Sequence, residues 1–130
     1  MRLLGDFANV LSDHATECGH DYELRFNPEH FIYAAHFPSE PVTPGVCILQ
    51  LAVELLERHI GEALEMVSAR NVKFLRTIIP SGAESLCFSV TYAGGEGALV
   101  NGKVTVTGGD VVYARISLIC RKISNSCATV

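Results

Sequence analysis

One stretch constrains this chain more than any other. From Val46 to Leu56 only Gln50 and Glu54 are polar, in the run Val46-Cys47-Ile48-Leu49-Gln50-Leu51-Ala52-Val53-Glu54-Leu55-Leu56. The segment from Gly45 to about Gly61 is too long for one strand and rich in Leu and Ala, so it predicts a helix. Thr43 suits its N-cap, Pro44 its first helical position and Gly61 its far end. A helix apolar on nearly every side must be surrounded. A single helix can be surrounded only by a sheet that curls around it.

The rest of the chain supplies such a sheet. After the helix, Val67–Ile79, Leu86–Tyr92, Leu99–Thr107 and Val111–Lys122 are β-branched runs with alternation. Gly94-Gly95 and Gly108-Gly109-Asp110 between them are turn signals, the second a strong hairpin cue. Before the helix, residues 7–18 suit a first strand, and Tyr22-Glu23-Leu24-Arg25-Phe26 alternates as a half-buried strand does. From His30 to Pro44 prolines at 38, 41 and 44 forbid regular pairing, which predicts an irregular segment, and long loops in small domains are usually functional. The expected class is α+β: one long central helix wrapped by a curved antiparallel sheet of five or six strands. With 130 residues the chain reads as one domain, 1–130, with a frayed tail over 124–130.

Composition removes several classes of function. The net charge of -4 comes with no basic cluster, and phosphate binding needs cations converging on one surface, so nucleic acid is not expected. A mildly acidic surface gains little from anionic lipid, and no run approaches the ~20 apolar residues of a membrane span. The N-terminus reaches Asp6 too soon for a signal-peptide apolar region, which predicts a cytoplasmic protein. Cys18, Cys47, Cys87, Cys120 and Cys127 are odd in number, widely spaced and free of any CxxC pair, so they read as reduced thiols, with no metal site.

Three features carry possible chemistry. Gln50 and Glu54, four residues apart, share one helical face among apolar neighbours. A buried carboxylate marks a polar cavity or a partner, whereas near a helix end it can also reach solvent or pair with Arg58. At the helix start, Thr43-Pro44-Gly45-Val46 places a glycine where backbone N–H groups point outward at the positive end of the dipole, able to donate to a carbonyl oxygen gaining charge. Simple packing room is the other reading of Gly45. His36, before Phe37-Pro38 in the proline-rich segment, is the side chain best suited to proton transfer near neutral pH, although a lone histidine is more often structural. His14, His20, His30 and His59 lack such surroundings.

Read together, His36-Phe37-Pro38-Ser39-Glu40-Pro41-Val42-Thr43-Pro44-Gly45-Val46 resembles the signature HFPxxPVxPGV of the 3-hydroxyacyl-acyl carrier protein dehydratases at every fixed position. Val72-Lys73-Phe74-Leu75-Arg76-Thr77-Ile78-Ile79-Pro80-Ser81-Gly82 is similar to the strand that follows the central helix in that family, so the likeness spans roughly residues 20–120. The resemblance implies the hot-dog fold, dimerising side by side, with active sites at the dimer interface in a tunnel for an acyl chain on its phosphopantetheine arm. It implies a hydro-lyase that turns a 3-hydroxyacyl thioester into the trans-2-enoyl thioester, in fatty acid or polyene-type lipid synthesis. No cofactor is implied beyond the phosphopantetheine of acyl carrier protein or CoA that carries the substrate. By carry-over, His36 abstracts the α-proton, the Gly45 N–H stabilises the thioester oxygen, and a carboxylic acid on the partner's helix protonates the departing hydroxyl. Phe37, Pro44 and Val46 line the substrate site.

The sequence departs from the family at the acid. Fourteen positions after the histidine, where Glu or Asp belongs, stands Gln50, an amide that cannot donate a proton at neutral pH. Where the family often carries Gln, one turn on, this chain has Glu54. Ala35 also replaces the glycine usual before the histidine. Three readings follow: Glu54 acts as the acid from one turn deeper, about 6 Å along the helix; or Gln50 only positions substrate or water, in a thioesterase or in a silent acyl-binding subunit paired with a related hot-dog protein; or the likeness is architectural. Homodimer, heterodimer and higher oligomer stay open at this point.

Overall fold

The computed structural model describes residues 2–35, 39, 41–80, 84–94 and 96–123. The chain runs β1 (Ala8–Ala15), β2 (Gly19–Phe26), α1 (Phe31–Ala35), α2 (Gly45–Ile60), β3 (Leu64–Phe74), β4 (Ser85–Gly94), β5 (Leu99–Gly108) and β6 (Val111–Lys122). The six strands form one sheet in the order β1-β2-β4-β5-β6-β3, antiparallel throughout. This is the hot-dog architecture expected from the sequence, with α2 as its filling. Gly108 pairs with Val111, so Gly109-Asp110 is a two-residue hairpin turn where the glycine-rich signal placed it.

The core is the contact between α2 and the concave face of the sheet. On the helix Cys47, Ile48, Leu51, Ala52, Val53, Leu55 and Leu56 are buried. Opposite them, every second residue of the central strands is buried: Phe88 and Val90 on β4, Val104 and Val106 on β5, Ile116 and Leu118 on β6. Period two on the strands thus meets an all-round apolar helix, as the sequence required. One close approach is enabled by Gly102: a Cβ there would stand 2.5 Å from a methyl of Leu56. The helix ends at Gly61, whose left-handed φ of 83° lets its N–H return to the Glu57 carbonyl.

Three local expectations are corrected. Thr43 does not cap α2; Pro44 holds that position with extended backbone and no side chain caps the helix start. The Thr43 hydroxyl is taken instead by Tyr33, at 2.8 Å in a buried pair. The segment from His30 on begins with a short helix, α1, although five residues are too few to leave a readable period. The strand expected over Val67–Ile79 runs from Leu64 to Phe74 and stops there. The Leu75 and Arg76 amides both turn to the Tyr113 carbonyl, which ends the ladder, while the Ile78 carbonyl accepts from the Thr43 amide at 2.8 Å.

Candidate active site

Two elements frame the proline-rich segment. α1 ends at Ala35, and the chain re-enters the described structure fully at Pro41. The two ends are tied together by the Tyr33–Thr43 bond, and Thr43 is tied in turn to Ile78. Burial pushes the Tyr33 phenol up to about 12, so it stays a neutral hydrogen-bonding group across the physiological range. His36 and Phe37, with Pro38 and Glu40, lie outside the described residues.

At the start of α2, Gly45 is the first helical residue, and the first N–H groups of a helix have no partner within it. The glycine also has a packing role. A Cβ there would lie 2.9 Å from the ring of Phe74, which rests on the Gly45 backbone. Gly45 faces a depression of about 270 Å³ shared with Thr43, Ile48, Phe74 and Ile78. The next residue, Val46, is 71 % exposed and turns to the other side of the helix.

There it meets Gln50. Val46, Leu49, Gln50 and Val53 form one wall of a cavity of about 420 Å³, and Leu64 and Met66 of β3 form the opposite wall. Arg2, Glu57 and Glu65 also line it, so with Gln50 the cavity is of mixed polar and apolar character. Gln50 is half-buried, and its Nε2 donates to Glu54 Oε2 at 2.9 Å.

Glu54 lies behind Gln50 and is 1 % exposed. The reading in which it reaches solvent or pairs with Arg58 does not hold. Arg58 instead lines a groove with Asp13, His20 and Tyr22. The Glu54 carboxylate accepts the Leu3 N–H on Oε2 at 2.8 Å and the Leu4 N–H on Oε1 at 2.9 Å. With Gln50 that makes three N–H donors on one buried carboxylate, which is how a buried charge is made tolerable. Arg2 adds a longer ion pair at 3.8 Å and a direct bond from Nη1 to Glu57 Oε1 at 2.9 Å. Glu57 in turn accepts the Leu64 N–H at 2.8 Å, tying the start of β3 to the helix.

The fold therefore brings Val46 and Gln50 to one cavity, stacks Glu54 behind Gln50, and opens Gly45 toward a neighbouring depression. Sequence reasoning missed the residues that tether Glu54. Arg2, Leu3 and Leu4 act through main-chain donors and one guanidinium, and a backbone N–H leaves no mark in a sequence. It also missed Phe74, whose ring occupies the space that Gly45 leaves. Among the described residues no group of His, Cys, Asp and Glu is placed to hold a metal ion. Among the described residues, too, no helix is long and apolar enough to cross a membrane.

Comparison with known proteins agrees with this fold. A curated 3-hydroxyacyl-[acyl-carrier-protein] dehydratase FabZ from Clostridium acetobutylicum is 25 % identical over 103 residues, covering 74 % of this chain and 72 % of that protein. An uncharacterized protein from Erwinia carotovora subsp. atroseptica superposes with a TM-score of 0.66 at 21 % identity, over 88 % of this chain and 95 % of that one. The dehydratase heterocomplex ApeI:P from Xenorhabdus doucetiae gives a TM-score of 0.64 at 15 % identity, over 87 % and 96 %. Residues 12–100 match the ApeI-like family, described as ApeI dehydratase, and that span carries β2, α2, β3 and β4 with Gly45, Gln50 and Glu54. The chain belongs to the ApeI-like dehydratase family.

Proposed function

We propose that this chain is one subunit of a 3-hydroxyacyl-acyl carrier protein dehydratase, supplying His36 and the tunnel wall while a related hot-dog subunit supplies the acid. The reaction removes water from a 3-hydroxyacyl thioester to leave the trans-2-enoyl thioester, in fatty acid or polyene-type lipid synthesis. His36 takes the α-proton, and the Gly45 N–H at the positive end of α2 donates to the thioester oxygen as it becomes enolate-like. A carboxylic acid at the partner's equivalent of Gln50 protonates the leaving hydroxyl, since hydroxide leaves poorly without a proton. The mirror-related site, built on Gln50, has no acid.

The observation that carries this reading is the bonding of Glu54. Both of its oxygens accept backbone N–H groups and the Gln50 amide donates to it as well. A proton on either oxygen would face a donor, and Gln50 stands between Glu54 and the cavity. Acting as the acid would cost Glu54 the bonds that hold the N-terminal segment. Partnership is supported by β3, an edge strand of the sheet, which exposes Met66, Val67 and Phe74, with Met66 at the cavity, and an edge strand with apolar side chains is a pairing surface. The Xenorhabdus doucetiae neighbour, itself a dehydratase heterocomplex, is a precedent for two such subunits together.

The test is reconstitution. The chain would be co-purified with a related hot-dog subunit that carries Glu or Asp at the equivalent of Gln50, and loss of water from a 3-hydroxyacyl-acyl carrier protein followed by mass spectrometry. His36→Ala in this chain should abolish dehydration by the complex, and Gln50→Ala should leave most of it. A complex that is active with His36→Ala would overturn the assignment. Release of free thiol from acyl-CoA by the chain alone would point instead to a thioesterase.

A further inference from the structure

The N-terminal segment touches both helices that frame the site. Arg2, Leu3 and Leu4 hold Glu57 and Glu54 on α2. A little further on, Asp6 and Phe7 turn to α1. Asp6 Oδ2 lies 3.1 Å from His30 Nε2, and the fully buried Phe7 ring stacks on Tyr33 at 5.1 Å and 18°. His30 stands just before Phe31, the first residue of α1, and is only 7 % exposed. Its ring stacks on Phe31 at 4.6 Å and meets Phe7 edge-on at 5.2 Å.

The two nitrogens of the His30 ring have different partners. The Ile32 backbone N–H donates to Nδ1 at 3.2 Å, so Nδ1 carries no proton. The proton is then on Nε2, where it is donated to the Asp6 carboxylate. Ile32 is the second residue of α1, and an acceptor for the second or third N–H is what an N-cap supplies. The usual caps do this with an oxygen. An imidazole does it with a nitrogen, and only in one tautomer. A helix of five residues is too short to hold itself together, so its course depends on such ties: the His30 cap at its start and the Tyr33–Thr43 bond within it. α1 ends at Ala35, the residue before His36 in the sequence.

We propose that His30 is a positioning residue for the reaction: held in its Nε2–H tautomer by Asp6, it caps α1 and so sets the course on which the chain enters the His36 segment. This rests on the dehydratase-subunit reading, which gives His36 the α-proton. Packing alone would account for the contacts with Phe7 and Phe31, and a ring without nitrogens would serve it equally well. The bonds to Ile32 and Asp6 instead use both nitrogens, in the two roles a neutral imidazole offers. The N-terminal segment then serves both helices at once. Leu3 and Leu4 fix Glu54 behind Gln50, while Asp6 fixes the cap of α1.

Two variants separate the cap from the packing. His30→Asn keeps an acceptor for the Ile32 N–H and loses the ring; His30→Phe keeps the ring and loses the acceptor. Both are assayed in the reconstituted complex by dehydration of a 3-hydroxyacyl-acyl carrier protein. His30→Phe should lower kcat about tenfold with KM little changed, since a small misplacement of a catalytic group is costly. His30→Asn should keep most of the wild-type kcat, because asparagine is a favoured cap. Wild-type kcat in His30→Phe, or a loss in His30→Asn as great as in His30→Phe, assigns His30 to packing. Either result overturns the positioning role and leaves the dehydratase reading standing. Nitrogen NMR of the wild-type chain alone gives a second readout that does not depend on either variant folding. It should show a protonated Nε2 and a bare Nδ1 on His30, and Asp6→Ala should mix the two tautomers. A proton on Nδ1 in wild type overturns the cap whatever the variants do. A wild-type complex that removes no water takes away the dehydratase reading and the positioning role together.

Discussion

Two polar clusters flank α2, and they are built on opposite plans. Around Glu54 one buried carboxylate gathers donors that are mostly main chain: Leu3 N–H, Leu4 N–H and the Gln50 amide. Near the far end of the helix, side chains meet side chains in partial contact with solvent. His20 bonds Asp13 at 2.7 Å, the His20 and His59 rings lie 5.7 Å apart, and Tyr92 packs edge-on against His59 at 5.5 Å. The first cluster fixes the path of the chain, because a backbone N–H deprived of its acceptor cannot turn away to water. The second decorates a path already set by the β1–β2 hairpin. Gln50, which lines the cavity, is attached to the first.

Substitutions should separate the two. Glu54→Leu strands two backbone donors and the Gln50 amide in a buried site, and should cost about 3–5 kcal/mol of unfolding free energy by chemical denaturation. Tyr33→Phe leaves the buried Thr43 hydroxyl without its partner and loosens the tie between the ends of the His36 segment. It should cost about 1–1.5 kcal/mol, and in a reconstituted complex lower kcat more than it raises KM. Asp13→Asn, at the exposed cluster, should cost less than about 1 kcal/mol. A loss there equal to that of Glu54→Leu would erase the contrast.

The smallest effect is a pH dependence confined to the exposed cluster. Burial, and then repulsion from His20, holds the His59 imidazole below its ordinary range. The unfolded chain therefore takes up this proton at higher pH than the folded one. Between the depressed folded value and about 6.5, stability should fall as pH is lowered, and level off below that window. His59→Gln should flatten this part of a urea-midpoint titration. A slope unchanged in the variant would assign the dependence to another group.

Much of this was legible in the sequence. A helix with only two polar residues between Val46 and Leu56 demanded a wrapping sheet, and α2 spans Gly45–Ile60 within a residue of the expected bounds. Alternation found β4, β5 and β6 because each buries every second residue, whereas β3, exposed along most of its length, was found by its β-branched residues. The end of β3 was misplaced, since β-branched residues continue to Ile79 while the ladder ends where Leu75 and Arg76 turn to Tyr113. At the site, the motif marked Gly45 and the spacing marked Gln50 and Glu54. What the sequence could not disclose was the company Glu54 keeps. Its donors come from Leu3 and Leu4, some fifty residues away, through atoms that every residue except proline possesses.

The central claim is that Gln50 stands in the acid's place and Glu54 does not replace it. The most direct measurement is dehydration of a 3-hydroxyacyl-acyl carrier protein by the chain purified alone, wild type beside Gln50→Glu, followed by mass spectrometry. The account predicts no loss of water with wild type and its appearance with Gln50→Glu, which puts a carboxylic acid where the proton donor for the leaving hydroxyl belongs. Steady dehydration by the wild-type chain alone, with no partner subunit present, would contradict it.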